Sequence, residues 1–446
     1  MPRQLALFIY VLFIIYLFWI DRNKFQGVSR AIWIPLTWFF FGMSRNFSLW
    51  IKVDMPDIDI SEYADIISEG SPYDRAIYSI LILAGMMILW KRKINWYSWF
   101  VRNRWIWLYF IFGALSISWS DYPYVSFKRL IKASSTIIMA LVIVSEERPY
   151  IAIGVILKRI AFILLPLSIL FIKYYPKLGR SYHMGKALYT GVCTSKNSLG
   201  TLCLISGIYF SWNLCFGRKI ANETSQQLHY SIYLIILPML AWLFYMVNSA
   251  TSLVCIVVTV SLFVIARQPI FFREQVKIIF FTITCIVMFV ITDLFFNIKD
   301  TIFALLGRSP DLTTRIPMWQ DILSMVRNPL IGFGYESFWL GERLDYLTSK
   351  WGFLKQSHNG YLEMYVNMGF IGVCFIIAWV ASGLKSVKSH MIADYPIAIL
   401  RFCFILIVVI YNYTEATFYG SNVMWCLFFL GIMNLPERIK QEKQPI

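Results

Sequence analysis

Proton transfer near neutral pH falls most readily to histidine, and this chain of 446 residues has four. His183, His229 and His390 fall in expected loops and suggest nothing alone. His358 stands apart. It opens the stretch SHNGYLEMYVNMGFIG, residues 357–372, and a long apolar run follows at once. Glu363 lies about one helical turn further on, where it can orient or tune the imidazole. Arg315 belongs to the same long loop. A base with cations nearby suits attack by a hydroxyl on a carbon that bears a phosphate leaving group. The base takes the proton and the cation takes the developing charge. The plainer alternatives are a structural histidine, and an interfacial arginine that reaches toward water.

The elements that must position these groups can be read around them. Ser357 or Asn359 can cap the helix that follows. Gly369 and Gly372 share one face of it, where a neighbouring helix can approach closely. If the helix reaches back to His358, the histidine lies near that face. The loop 298–358 is too long for a plain connector. Within it, RIPMWQDILSMVRNP places Trp319, Ile322, Leu323 and Val326 at helical spacing. The expectation is an amphipathic helix lying at a membrane surface, with Pro317 in its first turn. Arg315 then sits at the N-terminal end, where the helix dipole disfavours a cation. Gly332 and Gly334 close the segment in a turn.

Composition sets the class. The chain is 58% hydrophobic and 15% charged, with a mean hydropathy of +0.61. Spans are expected near 5–20, 31–43, 76–90, 105–119, 130–145, 151–172, 198–216, 230–247, 251–266, 278–297, 361–381, 395–412 and 421–435. Two are short, so the fold class is an all-α polytopic membrane protein with 12–13 transmembrane helices and a large outer loop carrying short amphipathic helices. No cleavable signal peptide is expected in LALFIYVLFIIYLFWI, which lacks a small-residue cleavage site. No internal repeat stands out.

The net charge of +16 does not indicate nucleic acid. Much of it lies in short basic loops, such as KRKINWYSWFVRNR and RQPIFFREQVK, which mark the cytoplasmic side. Alternation then puts 44–75, 173–197, 298–358 and NYTEATFYGS outside, together with the N-terminus. The loop 173–197 is outside yet carries Lys173, Lys177, Arg180, Lys186 and Lys196. Either an anionic ligand binds there or a locally folded loop tolerates the charge. The eight cysteines form no CxxC pair, and seven lie in apolar runs, so they read as small hydrophobes. One metal reading is on offer, the Asp57-Ile58-Asp59 pair in the first outer loop. The competing reading is a solvated acidic stretch beside Asp54, Glu62 and Asp65.

His358-Asn359, nine residues, then Gly369-x-x-Gly372 resembles the signature of the O-antigen ligase and O-antigen polymerase family of bacterial membrane glycosyltransferases. Other segments match in order. GMSRNFSLWI and EGSPYDR, at 42–51 and 69–75, look like the first outer loop of its exopolysaccharide-production members. GVCTSKNSLG, with Lys196 and Asn197, resembles a Lys-Asn-x-x-Gly segment of the family. SATSLV resembles its Ser/Thr-rich helix start, RIPMW and GFGYESF resemble its outer-loop segments, and TEATF resembles the acidic position between its last spans. One departure is that ligases often have Arg-x-x-x-Leu, whereas Arg315 is followed by Trp319.

The resemblance implies a GT-C-like helical fold in the bacterial inner membrane, with the active site facing the periplasm. It implies three stretches: N-terminal helices over 1–230, a ligase/polymerase-like core over 231–381 containing the large outer loop, and C-terminal helices with a cytoplasmic tail over 382–446. The implied donor is a glycan on undecaprenyl pyrophosphate, and the acceptor a glycan or a lipid A core, among membrane lipids. His358 maps to the general base and Arg315 to the pyrophosphate-holding arginine. Arg180, Lys196, Asn197, Arg129, Asn359 and Glu363 are further candidates for binding pyrophosphate or substrate. No cofactor and no metal are implied. The rival class is a transporter or flippase for a lipid-linked or anionic substrate, which the number of spans also fits.

Overall fold

In a computed structural model, residues 1–21, 27–51, 71–183, 185–224, 230–296, 298, 312–352 and 356–436 are described. The Asp57–Asp59 pair lies outside them. A helix stands at each expected span. The first stretch holds α1 (Arg3–Ile20), α2 (Trp33–Gly42), α3 (Phe47–Ile51), α4 (Pro72–Lys91), α5 (Trp96–Arg102), α6 (Arg104–Ser116), α7 (Pro123–Val144) and α8 (Pro149–Tyr174). After the short helix α9 (Pro176–Gly179) comes an antiparallel hairpin of β1 (Arg180–His183) and β2 (Lys186–Tyr189). Then follow α10 (Lys196–Thr224), α11 (Tyr230–Val247), α12 (Ala250–Ala266), α13 (Pro269–Arg273) and α14 (Lys277–Phe296). The large loop contributes α15 (Leu312–Ser324) and α16 (Glu342–Trp351), and the chain closes with α17 (Gly360–Ala393), α18 (Tyr395–Tyr411) and α19 (Val423–Ile432).

Among the described residues, seven helices are long and apolar enough to cross a membrane: α1, α4, α8, α10, α11, α14 and α17. Helices α12, α18 and α19 are apolar but shorter. The remaining expected spans fall short for visible reasons. Helices α2 and α6 have 10 and 13 residues, and α7 carries Lys128, Arg129 and Lys132 in its first half. Every residue of α19 is buried in protein, so its length is matched to neighbours and not to a bilayer.

Helix α8 is enclosed, with 83% of its apolar window buried, whereas α1 and α14 bury only 11% of theirs. An apolar helix exposed nearly all round needs an apolar solvent, and a lipid bilayer is one. The core joins α4 to α7, α10 to α11 and α12, and α17 and α18 to α19. Inside it, Lys158 of α8 meets Asp21, just past α1, at 2.7 Å, which ties the outlying first helix to the bundle. All eight cysteines are free, as expected of small hydrophobes; Cys285 and Cys374 are exposed, on α14 and α17.

Helix α17 is not the continuous rod that its sequence suggests. Asn359 caps it by accepting from the amides of Tyr361 and Leu362 at 3.0 and 3.1 Å, so His358 stands outside the helix. Its chain also breaks at Gly369, where φ is +62° and ψ −161°. The Gly-x-x-Gly face therefore does not extend to the histidine. Gly369 instead admits the large loop: Phe370 donates to the carbonyl of Pro329 at 2.8 Å, and a Cβ on Gly369 would stand 2.2 Å from the carbonyl carbon of Leu330. Phe333 and Gly334 donate to Val366 and Asn367 at 3.0 and 2.9 Å. The kink thus frees backbone groups that the loop satisfies. Gly369→Ala is expected to lower thermal stability, by about 1–3 kcal/mol from the backbone conformation alone and more from the clash. A melting curve of the purified protein unchanged from wild type would contradict this role.

Helix α15 also departs from expectation. It begins at Leu312, so Pro317 lies inside it and not in its first turn. Its apolar side, Met318 and Ile322, packs into a second small core with Phe333, Phe338, Trp339, Leu347 and Val366. The apolar side chains of the loop itself thus cover this side of the helix. Leu323 remains exposed. Lys350 reaches Asp321 at 2.7 Å and Trp351 donates to the same carboxylate oxygen at 2.8 Å, which pins α16 to α15. These two donors hold the Asp321 carboxyl below its ordinary range.

Candidate functional site

The turn that carries His358 is held from several sides. His358 has φ +54°, a left-handed conformation that costs a non-glycine residue about 1–2 kcal/mol. Its neighbours fix it there. The Ser357 amide donates to Glu363, and the Ser357 carbonyl accepts from the Trp319 indole at 2.8 Å. The Ser357 hydroxyl bonds both the amide and the carbonyl of Asn359. Gly360 donates to the carbonyls of Asn412 and Glu415 at 2.8 and 3.1 Å. No side chain fits at Gly360, because a Cβ would lie 2.0 Å from Asn412 Oδ1.

Glu363 is therefore not the partner of the imidazole that its spacing suggested. It is 4% exposed, and both its oxygens accept from the Trp339 indole, at 3.0 and 2.9 Å. It braces the turn from behind. The carboxylate that faces His358 is Glu415, in the link between α18 and α19, with Oε2 3.5 Å from Nδ1. The other Glu415 oxygen accepts from Asn197 Nδ2 at 2.7 Å. The imidazole is 31% exposed and Glu415 10%, so the pair sits at the rim of the protein, open to a substrate.

Arg315 approaches from α15 and donates through Nη1 to the carbonyl of Thr414 at 2.9 Å, one residue from Glu415. The Thr414 hydroxyl pairs with that of Thr251 at 2.6 Å, which brings the start of α12 to the same place. His358, Arg315, Asn197 and Thr251 thus come from four separate segments and meet around Thr414 and Glu415.

The other sequence candidates are placed differently. Asn359 serves as the helix cap. Lys196 lines a cleft of about 490 Å³ with Tyr189, Tyr245 and Asn248, beside Asn197. Asn248 is, with His358 and Glu336, one of three non-glycine residues at positive φ among the described residues. Arg180 turns inward: Nε and Nη2 both donate to the Ile172 carbonyl, at 3.0 and 2.8 Å, and its guanidinium lies over the Tyr189 ring. It braces the hairpin and is not brought to His358. Arg129 donates to the carbonyl of Glu336, whose side chain accepts from the Gly420 amide at 2.7 Å. Enclosure raises the Glu336 carboxyl above its ordinary range, against the pull of Arg129 and the Gly420 amide.

This second cluster reaches the first through Tyr419, whose hydroxyl donates to Gln356 Oε1 at 2.8 Å; Gln356 Nε2 stands 3.4 Å from His358 Nδ1. Enclosure raises the Tyr419 hydroxyl far above its ordinary pKa, so it remains a neutral donor. Thr251, Thr414, Glu415, Gln356 and Tyr419 were not among the sequence candidates for the site. Thr251 lay in SATSLV, and Thr414 and Glu415 in TEATF, two segments matched to the family without a role for these residues, and Glu415 is the single acidic residue of NYTEATFYGS.

Among the described residues no group of three or more His, Cys, Asp or Glu side chains is arranged to hold a metal ion. The arrangement offers an imidazole backed by a carboxylate, with a guanidinium alongside. Such a set can take a proton and steady a nearby anion.

Residues 234–377 match the family described as O-antigen ligase, a stretch that includes both Arg315 and His358. The chain is also 26% identical over 285 residues to the exopolysaccharide production protein ExoQ of Rhizobium meliloti (strain 1021), across 61% of this chain and 62% of that protein. The match therefore spans somewhat less than two thirds of that relative. No solved structure matches. Both findings agree with the resemblance read from the motifs.

Proposed function

We propose that this multi-pass membrane protein, related to the O-antigen ligases, transfers a glycan from undecaprenyl pyrophosphate to an acceptor hydroxyl in surface-polysaccharide synthesis. The observation that carries the reading is the convergence of His358, Glu415, Asn197 and Arg315 at one rim of the bundle. His358 takes the proton of the acceptor hydroxyl as its oxygen bonds to the anomeric carbon. The bond from that carbon to the pyrophosphate oxygen breaks, and the pyrophosphate leaves with the electron pair. A single displacement of this kind inverts the anomeric centre. Glu415 steadies the imidazolium, and Asn197 holds Glu415 in place. Arg315, already fixed at Thr414, directs its remaining donors to the leaving phosphate, which a guanidinium fork suits. Lys196 in the adjoining cleft adds positive charge.

The rim that carries the site lies at the start of α17, and the basic loops lie largely at the opposite ends of the helices. With positive charge inside, the site faces the periplasm and the membrane is the bacterial inner membrane. Likeness to an exopolysaccharide production protein favours a glycan acceptor, and so polymerisation, over a lipid A core. Reconstitution in liposomes with a lipid-linked oligosaccharide, offered either a second lipid-linked glycan or a lipid A core, tests this directly. Transfer to neither acceptor would sink the proposal, and carrier movement without transfer would favour a flippase.

Cationic side chains supply the countercharge for pyrophosphate in this mechanism. Transfer is therefore expected to persist in EDTA, and Asp57→Asn combined with Asp59→Asn should retain most activity. Activity lost on chelation and restored by Mg²⁺ or Mn²⁺ would place a metal against the phosphates instead.

A further inference from the structure

The Nδ1 atom of His358 faces two groups with opposite demands. Glu415 Oε2 lies 3.5 Å away and, as a carboxylate, can only accept. Gln356 Nε2 lies 3.4 Å away and can only donate. A neutral imidazole carries a single ring proton. If Nδ1 holds it, Glu415 is served and Nε2 has a bare lone pair. If Nε2 holds it, Nδ1 accepts from Gln356 and no lone pair is left to take a substrate proton. The orientation of the Gln356 amide therefore bears on which form exists, and Tyr419, donating to Gln356 Oε1 at 2.8 Å, holds the side chain beside the ring.

We propose that Gln356, held by Tyr419, is a positioning residue that sets the tautomer of His358 in competition with Glu415. In the arrangement seen, the amide holds the idle form, protonated on Nε2. The competent form needs the amide turned by half a revolution, so that Gln356 Oε1 accepts from Nδ1–H. Tyr419 permits this, because a phenol both donates and accepts. Its oxygen then receives the Gln356 N–H and no hydrogen bond is lost. The change is proton-neutral, since Nε2 gives a proton to water and Nδ1 takes one. Filling of the site by substrate is the natural trigger, because an acceptor hydroxyl donating to Nε2 requires that nitrogen to be bare. The inference rests on His358 as the base, but its test reads the ring directly.

The full-length protein in lipid nanodiscs, labelled with ring-¹⁵N histidine, gives the two tautomers distinct nitrogen shifts. His358→Asn assigns the signal by its loss. Without substrate, wild type is expected to show mainly the Nε2–H form. Gln356→Leu removes the competing donor and should move the ratio toward Nδ1–H by on the order of tenfold, about the worth of one hydrogen bond. Gln356→Met has nearly the same length and no N–H to donate, so it should move the ratio the same way; it serves if the leucine variant fails to fold. An unmoved His358 tautomer in the methionine variant overturns the inference, as does a wild-type ring already on Nδ1–H. Glycan transfer by His358→Ala is read separately. An inactive alanine variant with an unmoved tautomer sinks this inference and leaves the base intact. A shifted tautomer with an active alanine variant sinks the base and leaves the role of Gln356 in the ring's protonation.

Discussion

His358→Ala is expected to lower glycan transfer by about 10²–10⁴-fold, the usual worth of a positioned general base. In barrier terms that is about 3–5 kcal/mol. The protein should still insert and fold. The imidazole is 31% exposed, so little packing is lost with it. The turn around it is held by Ser357, Gly360 and Glu363, none of which needs the imidazole. The loss should fall on turnover and not on donor binding, because the proton moves only in the bond-making step. Turnover measured on purified protein of matched melting temperature decides the matter. A well-folded alanine variant with near wild-type transfer would remove His358 from the mechanism.

Arg315→Ala should cost about 10²–10³-fold, the scale seen when one donor to a developing oxyanion is removed. Arg315→Lys should recover little of it. The guanidinium is a planar fork that can hold the Thr414 carbonyl with one nitrogen and a phosphate oxygen with another. An ammonium on a flexible stem keeps the charge but loses that geometry. Two results would count against this reading. Full activity in the lysine variant with none in the alanine variant would reduce Arg315 to a source of positive field. Activity in both would show an interfacial arginine with no part in the reaction.

The motif residues were legible in the sequence because their chemistry is local. A histidine beside a helix cap at Ser357 or Asn359 can be seen from spacing, and the structure makes Asn359 the cap. The amphipathic helix over RIPMWQDILS was equally visible, since its apolar residues recur with the helical period. What covers that face was not visible. Met318 and Ile322 bury against Phe338 and Trp339 of their own loop, and periodicity names a buried face without naming its partner.

The roles of the carboxylates show the same limit. Glu363 was expected at the imidazole because it is near in sequence, yet the Trp339 indole and the Ser357 amide draw it into the interior. A buried carboxylate must be met by donors, and these donors lie behind the turn. Glu415 takes the place beside His358 although more than fifty residues of helix separate them. Arg180 and Arg129 were further candidates for the anion beside Arg315. All three donate to a backbone carbonyl, and only a folded chain shows that the one met by Arg315, that of Thr414, lies beside Glu415.

By itself the sequence determined a polytopic helical membrane protein, most of its helix positions, the histidine turn and the family resemblance. Apolar runs, loop charges and short-range motifs all act over a few residues, so one strand of text holds them. The tertiary structure alone decided that the chain breaks at Gly369 to admit the large loop, that α19 is shortened to fit its neighbours, and that Glu415, Asn197 and Arg315 gather at His358. These outcomes depend on which buried polar groups find partners across long separations in the chain, and that choice is made only when the helices pack.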